Sequence, residues 1–265
     1  MNFLKLLSLV FLSHIALLAS ILTIEGTGDS QAVLKKLANE FTKLNPSIQV
    51  VIPKSIGSGG AIKNIINNTL TLGRTARALK QSEIDAGVKE IVFGLSPVVF
   101  VVHNSKINPN LSTENIIDIY SGKIKNFEDI KGSNIRGQIF QIMREAGDSS
   151  LNILQNNIVW FKDIKKYIGK IAYNTNEAKK YLIKYKNTIG YIPLGIIKNT
   201  QLKIIVVDNI SATRENILNA SYKLTTPFSL IYKGQLKGIE KQFVKFLKTL
   251  KAKQIMEYNG VVSTI

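Results

Sequence analysis

The chain of 265 residues has no cysteine. That absence excludes disulfides, thiolate metal sites, a cysteine nucleophile and lipid attachment through a thioether. Histidine is almost as scarce. His14 falls in an apolar N-terminal stretch, so His103 alone serves the rest of the chain. It lies in an apolar run, where a satisfied core ring is the simpler reading, and a Ser-His-Asp site would rest on it entirely. The glycine-rich segment GSGGAIKN lacks the GK[ST] ending of a phosphate-binding P-loop. Together these gaps argue against an enzyme, and neither a metal nor a cofactor is expected. Arginine is rare too, limited to Arg74, Arg77, Arg136, Arg144 and Arg214. Past the first twenty residues no apolar run is long enough to span a bilayer.

Acids are also few. Asp and Glu total 18 against 35 Lys and Arg, a net charge of +17. The excess is lysine, spread through amphipathic segments such as KGIEKQFVKFLKTLKAKQIMEY. No compact basic block interleaved with aromatics is present, so nucleic acid is not the expected partner. A solvated lysine-rich surface is the plain reading, and its positive field gathers small anions. A lysine-rich surface interaction protein is the alternative from charge alone.

Residues 1–20, MNFLKLLSLVFLSHIALLAS, carry one charge, Lys5, then a long apolar run ending in the small residues Ala19 and Ser20. This is the layout of a secretory signal peptide. An uncleaved signal that holds the protein at the membrane is the alternative, because the run is close to the length of a span. About 245 residues remain, 45% of the whole chain is hydrophobic, and the core must hold without cross-links.

Strand-type and helix-type runs alternate through that remainder. ILTIE (21–25) reads as a strand. Residues 30–44 carry Val33, Leu34, Leu37, Ala38, Phe41 and Leu44 at helical spacing, and Asn45-Pro46 ends the run. SIQVVIP (47–53) is a strand, and a second helix follows GSGG. The run 91–103, IVFGLSPVVFVVH, is a strand long enough to pass between two lobes. STENIIDIYSG (112–122) is a capped helix, and 229–234, SLIYKG, is a second crossing candidate. The terminal GIEKQFVKFLKTLKAKQIMEY reads as one long helix. The pattern predicts an α/β protein of two lobes: 21–97 with 229–265, and 98–228, joined by two hinge crossings. One continuous α/β domain is the alternative.

Three turns rich in glycine and hydroxyls each follow a strand and open a helix: EGTGDSQ (25–31), IGSGGAI (56–62) and REAGDSS (144–150). A helix N-terminus offers free N–H groups and the positive end of the dipole, and glycine lets an anion approach. Arg144 stands at the head of the third turn, placed for charge-assisted contacts. Asp29 and Asp148 have the positions of helix N-caps. Either acid, if it faces a ligand, favours an anion that still carries a proton, as phosphate does and sulfate does not.

These segments, together with LSTENIIDIYSGKIKNFEDI, IGYIPLG and the terminal KGIEKQFVKFLKTLKAKQIMEYNGVV, occur in the order seen in the phosphate-binding proteins of ABC transporters, which the chain resembles over nearly all of its mature length. The resemblance implies a two-lobed periplasmic-binding-protein-like (type II) fold that closes on inorganic phosphate. It further implies a monomeric, periplasmic protein that delivers to a membrane permease/ATPase complex. Another tetrahedral oxyanion, sulfate or molybdate, is the alternative ligand. Carried over by position, the implied ligand set is Asp29, Ser30, Ser58, Arg77, Arg144, Asp148, Ser149 and Ser150. The match is uneven. Thr75 and Ala76 replace the serines before Arg77, and no aspartate stands at Ala76. Asp148 replaces a family serine, Ser149 a glycine and Ser150 a threonine.

Overall fold

The structure, a computed structural model, describes residues 20–103, 110–133, 136–164 and 169–265. The expected signal lies outside the described residues except for Ser20.

In chain order the elements of the first part are β1 (Ser20–Gly26), α1 (Gln31–Leu44), β2 (Ile48–Val51), α2 (Gly57–Ile66), β3 (Leu72–Thr75) and α3 (Gln81–Asp85). A 15-residue strand, β4 (Val88–Val102), then leaves this part. The second part holds β5 (Asn110–Leu111), α4 (Thr113–Ser121), β6 (Phe140–Arg144), α5 (Ser149–Asn157), β7 (Lys170–Ala172), α6 (Thr175–Lys184), β8 (Thr188–Pro193), β9 (Lys203–Val207) and α7 (Arg214–Leu218). The chain returns through β10 (Thr225–Lys233) and ends in α8 (Gly238–Leu247), α9 (Leu250–Tyr258) and β11 (Val262–Ser263).

The long strand β4 serves both halves. Its residues Val88–Pro97 pair antiparallel with β10, whereas Val98–Val102 pair with β8 and β9. At the changeover the Val98 N–H donates to Leu224 O at 2.8 Å, and Thr225 pairs with Pro97. The two crossings therefore lie side by side. Strand β10 begins at Thr225, before the SLIYKG segment in which the sequence placed the return.

On one side of the crossings β1 runs parallel to β2 and β3, and β10 closes antiparallel on β3. On the other side β8, β6 and β7 run parallel. In both sets the parallel strands aim the carboxyl ends of β1 and β6 at the same central crevice, where ligands of open α/β sheets bind. Two large cores match this division. One gathers Val98–Val102 with Tyr120, Phe127, Phe161 and Tyr191. The other gathers Leu22, Ile24, Leu34, Phe41 and Phe93 with Phe228, Phe243 and Met256, its Phe41 and Phe243 rings meeting edge-on at 5.3 Å. The molecule has the α/β, two-lobed arrangement that the sequence pattern led us to expect.

Local chemistry accounts for most element ends. Ser112 Oγ accepts from the Asn115 N–H at 3.0 Å to start α4, and Gly122 at φ 77° stops it. Helix α1 buries Val33, Leu34, Leu37, Ala38 and Phe41, but Leu44, expected in the same stripe, is 60% exposed at the frayed end. The expected single terminal helix is two helices. Thr249 Oγ1 donates to Phe246 O at 2.7 Å and accepts from the Ala252 N–H at 3.3 Å, so its hydroxyl ends α8 and caps α9. His103 bonds Leu182 O through Nδ1 at 2.8 Å, the satisfied ring that its apolar setting implied. Among the described residues no helix is long and apolar enough to cross a membrane.

Candidate anion site

A cleft of about 830 Å³ lies between the two halves. Gly28, Asp29 and Gln31 come to it from the β1–α1 turn, and Arg144, Glu145, Asp148 and Ser149 from the β6–α5 turn. Ser96 and Thr226, paired across β4 and β10, lie at the crossings that form its back. Two of the three turns singled out in the sequence thus face each other with their helix N-termini inward.

Arg144 is the best-placed cation. It ends β6, is 3% exposed, and its backbone N–H donates to Tyr191 Oη at 3.1 Å. Nη2 reaches Asp148 Oδ2 at 2.5 Å, while Nε and Nη1 are buried with no hydrogen-bond partner among the described residues. A buried guanidinium with two idle donors is expensive, so such a group calls for an acceptor. Ser30 supplies the counterpart on the other half. It is wholly buried, it makes no cap bond to α1, and its Oγ has no partner among the described residues. Each half thus holds idle buried donors beside a helix N-terminus.

The two aspartates bring the opposite charge. Asp148 Oδ1 caps α5 by accepting from the Leu151 N–H at 3.0 Å. Burial raises its pKa, Arg144 and the Leu151 N–H oppose that rise, and Asp29 adds to it from the facing turn. Burial therefore outweighs the ion pair, and the carboxyl holds its proton more firmly than an exposed acid. Asp29 accepts from Thr27 Oγ1 at 3.2 Å and does not cap α1 with its side chain. In all, the lining carries the cations Lys36 and Arg144 against the carboxylates Asp29, Glu145 and Asp148. In a chain of net charge +17 that is an unusually acidic lining.

Of the eight residues named from the sequence, Asp29, Arg144, Asp148 and Ser149 line the cleft. Ser30 and Ser150 lie buried next to them, Ser150 at 1% exposure in the first turn of α5. Ser58 and Arg77 do not line it. Ser58 Oγ accepts from the Ala76 N–H at 3.2 Å and so ties α2 to the end of β3. Arg77 forms a two-pronged pair with Glu83, Nη2 to Oε1 at 2.7 Å and Nη1 to Oε2 at 2.9 Å, which raises its own pKa and lowers that of Glu83.

Sequence reasoning missed Ser96 and Thr226, because strand residues at a crossing carry no local signal. It also missed Arg74, which sits beneath the first turn. A lone charge within the uncharged strand-type run LTLGRT was the available sign.

Residues 16–249 match the family described as the PBP superfamily domain, and the chain belongs to that family. Over 97% of both chains it is 23% identical to the phosphate-binding protein PstS of Borreliella burgdorferi. A Clostridium perfringens structure of a phosphate ABC transporter substrate-binding protein with bound phosphate is 28% identical, with TM-score 0.77, covering 93% of this chain and all of that one. An ABC-type phosphate transport receptor from Vibrio cholerae shares the fold at 21% identity and TM-score 0.70, covering 91% and 99%.

Proposed function

We propose that this protein captures inorganic phosphate between its two halves and delivers it to an ABC-type membrane importer. The observation that carries the reading is that each half keeps idle buried donors at its turn into a helix, two on Arg144 before α5 and the hydroxyl of Ser30 before α1. A tetrahedral oxyanion gives each of them an acceptor, with the N-termini of α1 and α5 completing the shell. Asp29, Asp148, Ser149 and Ser150 finish the contact set. Ser58 and Arg77 brace the neighbouring motif of the first half.

The acidic lining supports phosphate over sulfate. A carboxylate repels a fully ionised anion but accepts a hydrogen bond from one that still carries a proton. The phosphate-binding relatives support the same choice. We read 20–97 with 225–265 as one closing lobe and 98–224 as the other. The protein works exported, in the periplasm, as a monomer that meets a permease/ATPase complex. Its N-terminal segment is a signal, removed or kept as an anchor.

Ligand linkage tests the proposal. A ligand that binds only the folded chain adds about 2.7 kcal/mol of stability at a hundred times its dissociation constant. Phosphate at millimolar concentration therefore raises the melting temperature of protein freed of carried-over ligand. An unchanged melting temperature contradicts the proposal.

A further inference from the structure

Arg74, on β3, is 0% exposed. A buried guanidinium is tolerated only when its donors are met. Here they are met by main-chain carbonyls. Nε donates to Thr27 O at 2.8 Å, Nη2 donates to Pro53 O at 2.9 Å, and Nη1 donates to Ile24 O. The backbone returns the contact, for the Thr27 N–H donates to Arg74 O at 3.2 Å. The Ile56 N–H donates to Gly26 O at 3.1 Å and draws in the start of α2. Three segments therefore meet on one side chain: the end of β1, the turn into α1, and the loop into α2. The approach is so close that a Cβ on Gly26 would lie 1.9 Å from Arg74 O, and Gly26 holds φ 144°.

The orientation of one peptide unit links this clamp to the cleft. In a trans peptide the C=O and the following N–H point in opposite directions. With Thr27 O drawn down onto Arg74, the Gly28 N–H is turned away from Arg74, and Gly28 lines the cleft. An apolar residue such as methionine at position 74 could fill the same space but has no donor to hold that carbonyl. The clamp also leaves a positive charge behind the turn, with no carboxylate in ion-pair contact with it among the described residues. Burial pushes the guanidinium down to about 10 and Glu25 pushes it back, so it is charged at neutral pH.

We propose that Arg74 is the positioning residue for the first half of the anion site: it orients the Thr27–Gly28 peptide toward the ligand and places a fixed charge behind it. The inference rests on the phosphate-capture reading, and its test separates the two.

The test is calorimetry with inorganic phosphate, together with the amide resonance of Gly28, on wild type, Arg74→Met, Arg74→Lys and the exposed control Arg136→Met. Arg74→Met is expected to weaken phosphate at least tenfold, about 1.4 kcal/mol. Arg74→Lys restores the charge and recovers part of the loss, and the control binds as wild type does. The Gly28 amide shifts with phosphate in wild type and much less in Arg74→Met. Variants that melt lower but bind phosphate with wild-type affinity overturn the proposal, since that is the behaviour of a purely structural arginine. Arg74→Lys, which keeps a donor and the charge, decides the matter if Arg74→Met does not fold. Failure of wild type to bind phosphate contradicts the functional reading instead. The positioning claim is then read on the ligand-free protein, where an unchanged Gly28 resonance in the variants overturns it.

Discussion

Arg144 and Asp148 meet at 2.5 Å through Nη2 and Oδ2, four residues apart, where β6 turns into α5. The contact anchors one end of the guanidinium and leaves Nε and Nη1 without a partner among the described residues. A flat, five-donor group held at Nη2 keeps its Nε and Nη1 donors on either side of that contact, within reach of different oxygens of a tetrahedral oxyanion.

Arg144→Lys keeps the charge and loses the planar set of donors. Phosphate affinity is expected to fall at least tenfold, about 1.4 kcal/mol, measured by calorimetry. Arg136→Lys, near in sequence but exposed, is expected to leave affinity unchanged. Equal losses at both positions would instead mark a general electrostatic field.

The aspartates are expected to set selectivity. Asparagine caps a helix about as well as aspartate, so Asp148→Asn leaves α5 in place. It removes the repulsion felt by sulfate, and sulfate binding is expected to appear or strengthen while phosphate weakens or holds. Asp29→Asn is expected to act in the same direction. Wild-type preference for phosphate over sulfate in both variants would remove the acids from the selectivity account.

Asp148 also gives a signed pH dependence. Its folded pKa is raised above the ordinary 3.8, chiefly by burial. Between that value and its raised one the folded protein holds more protons than the unfolded chain, so this group's contribution to stability falls as pH rises through the window. Melting temperatures of ligand-free wild type and Asp148→Asn, compared across mildly acidic pH, are expected to differ by this slope, with wild type losing relative stability as pH rises. The opposite slope would mean that the Arg144 pair outweighs burial.

Closure follows from the two adjacent crossings at Pro97–Val98 and Leu224–Thr225. Contacts already bridge the halves on one flank. Arg214 Nη1 meets Glu257 Oε1 at 2.7 Å, and Lys198 Nζ lies 3.4 Å from the centre of the Tyr258 ring. A ligand held from both sides favours the closed arrangement. Small-angle scattering is expected to give a smaller radius of gyration with phosphate than with the stripped protein, and identical curves would speak against a hinge.

Much of this architecture was legible in the sequence. The 91–103 run announced β4 because it was too β-branched for a helix and too long for one lobe. The turns at 25–31 and 144–150 were legible because glycine, hydroxyls and strand-to-helix placement all pointed to helix N-termini. Less legible were features set by tertiary partners. Thr249 breaks the terminal helix through its own hydroxyl, a choice that the apolar stripe around it conceals. Arg77 looked ligand-directed by position, yet Glu83 lies within reach and takes both of its prongs. Arg74 carried no motif, and its role depends on carbonyls from three segments distant in sequence.

Donors from both halves are expected to close on an oxyanion that still carries a proton. Titration calorimetry of the full chain, stripped of ligand and tested separately with phosphate, sulfate and molybdate at neutral pH, addresses this most directly. Tight binding of phosphate with one site per chain, and binding of sulfate and molybdate weaker by at least a hundredfold, about 2.7 kcal/mol, is the predicted result. Sulfate or molybdate binding as tightly as phosphate, or no heat with any of the three, would contradict it.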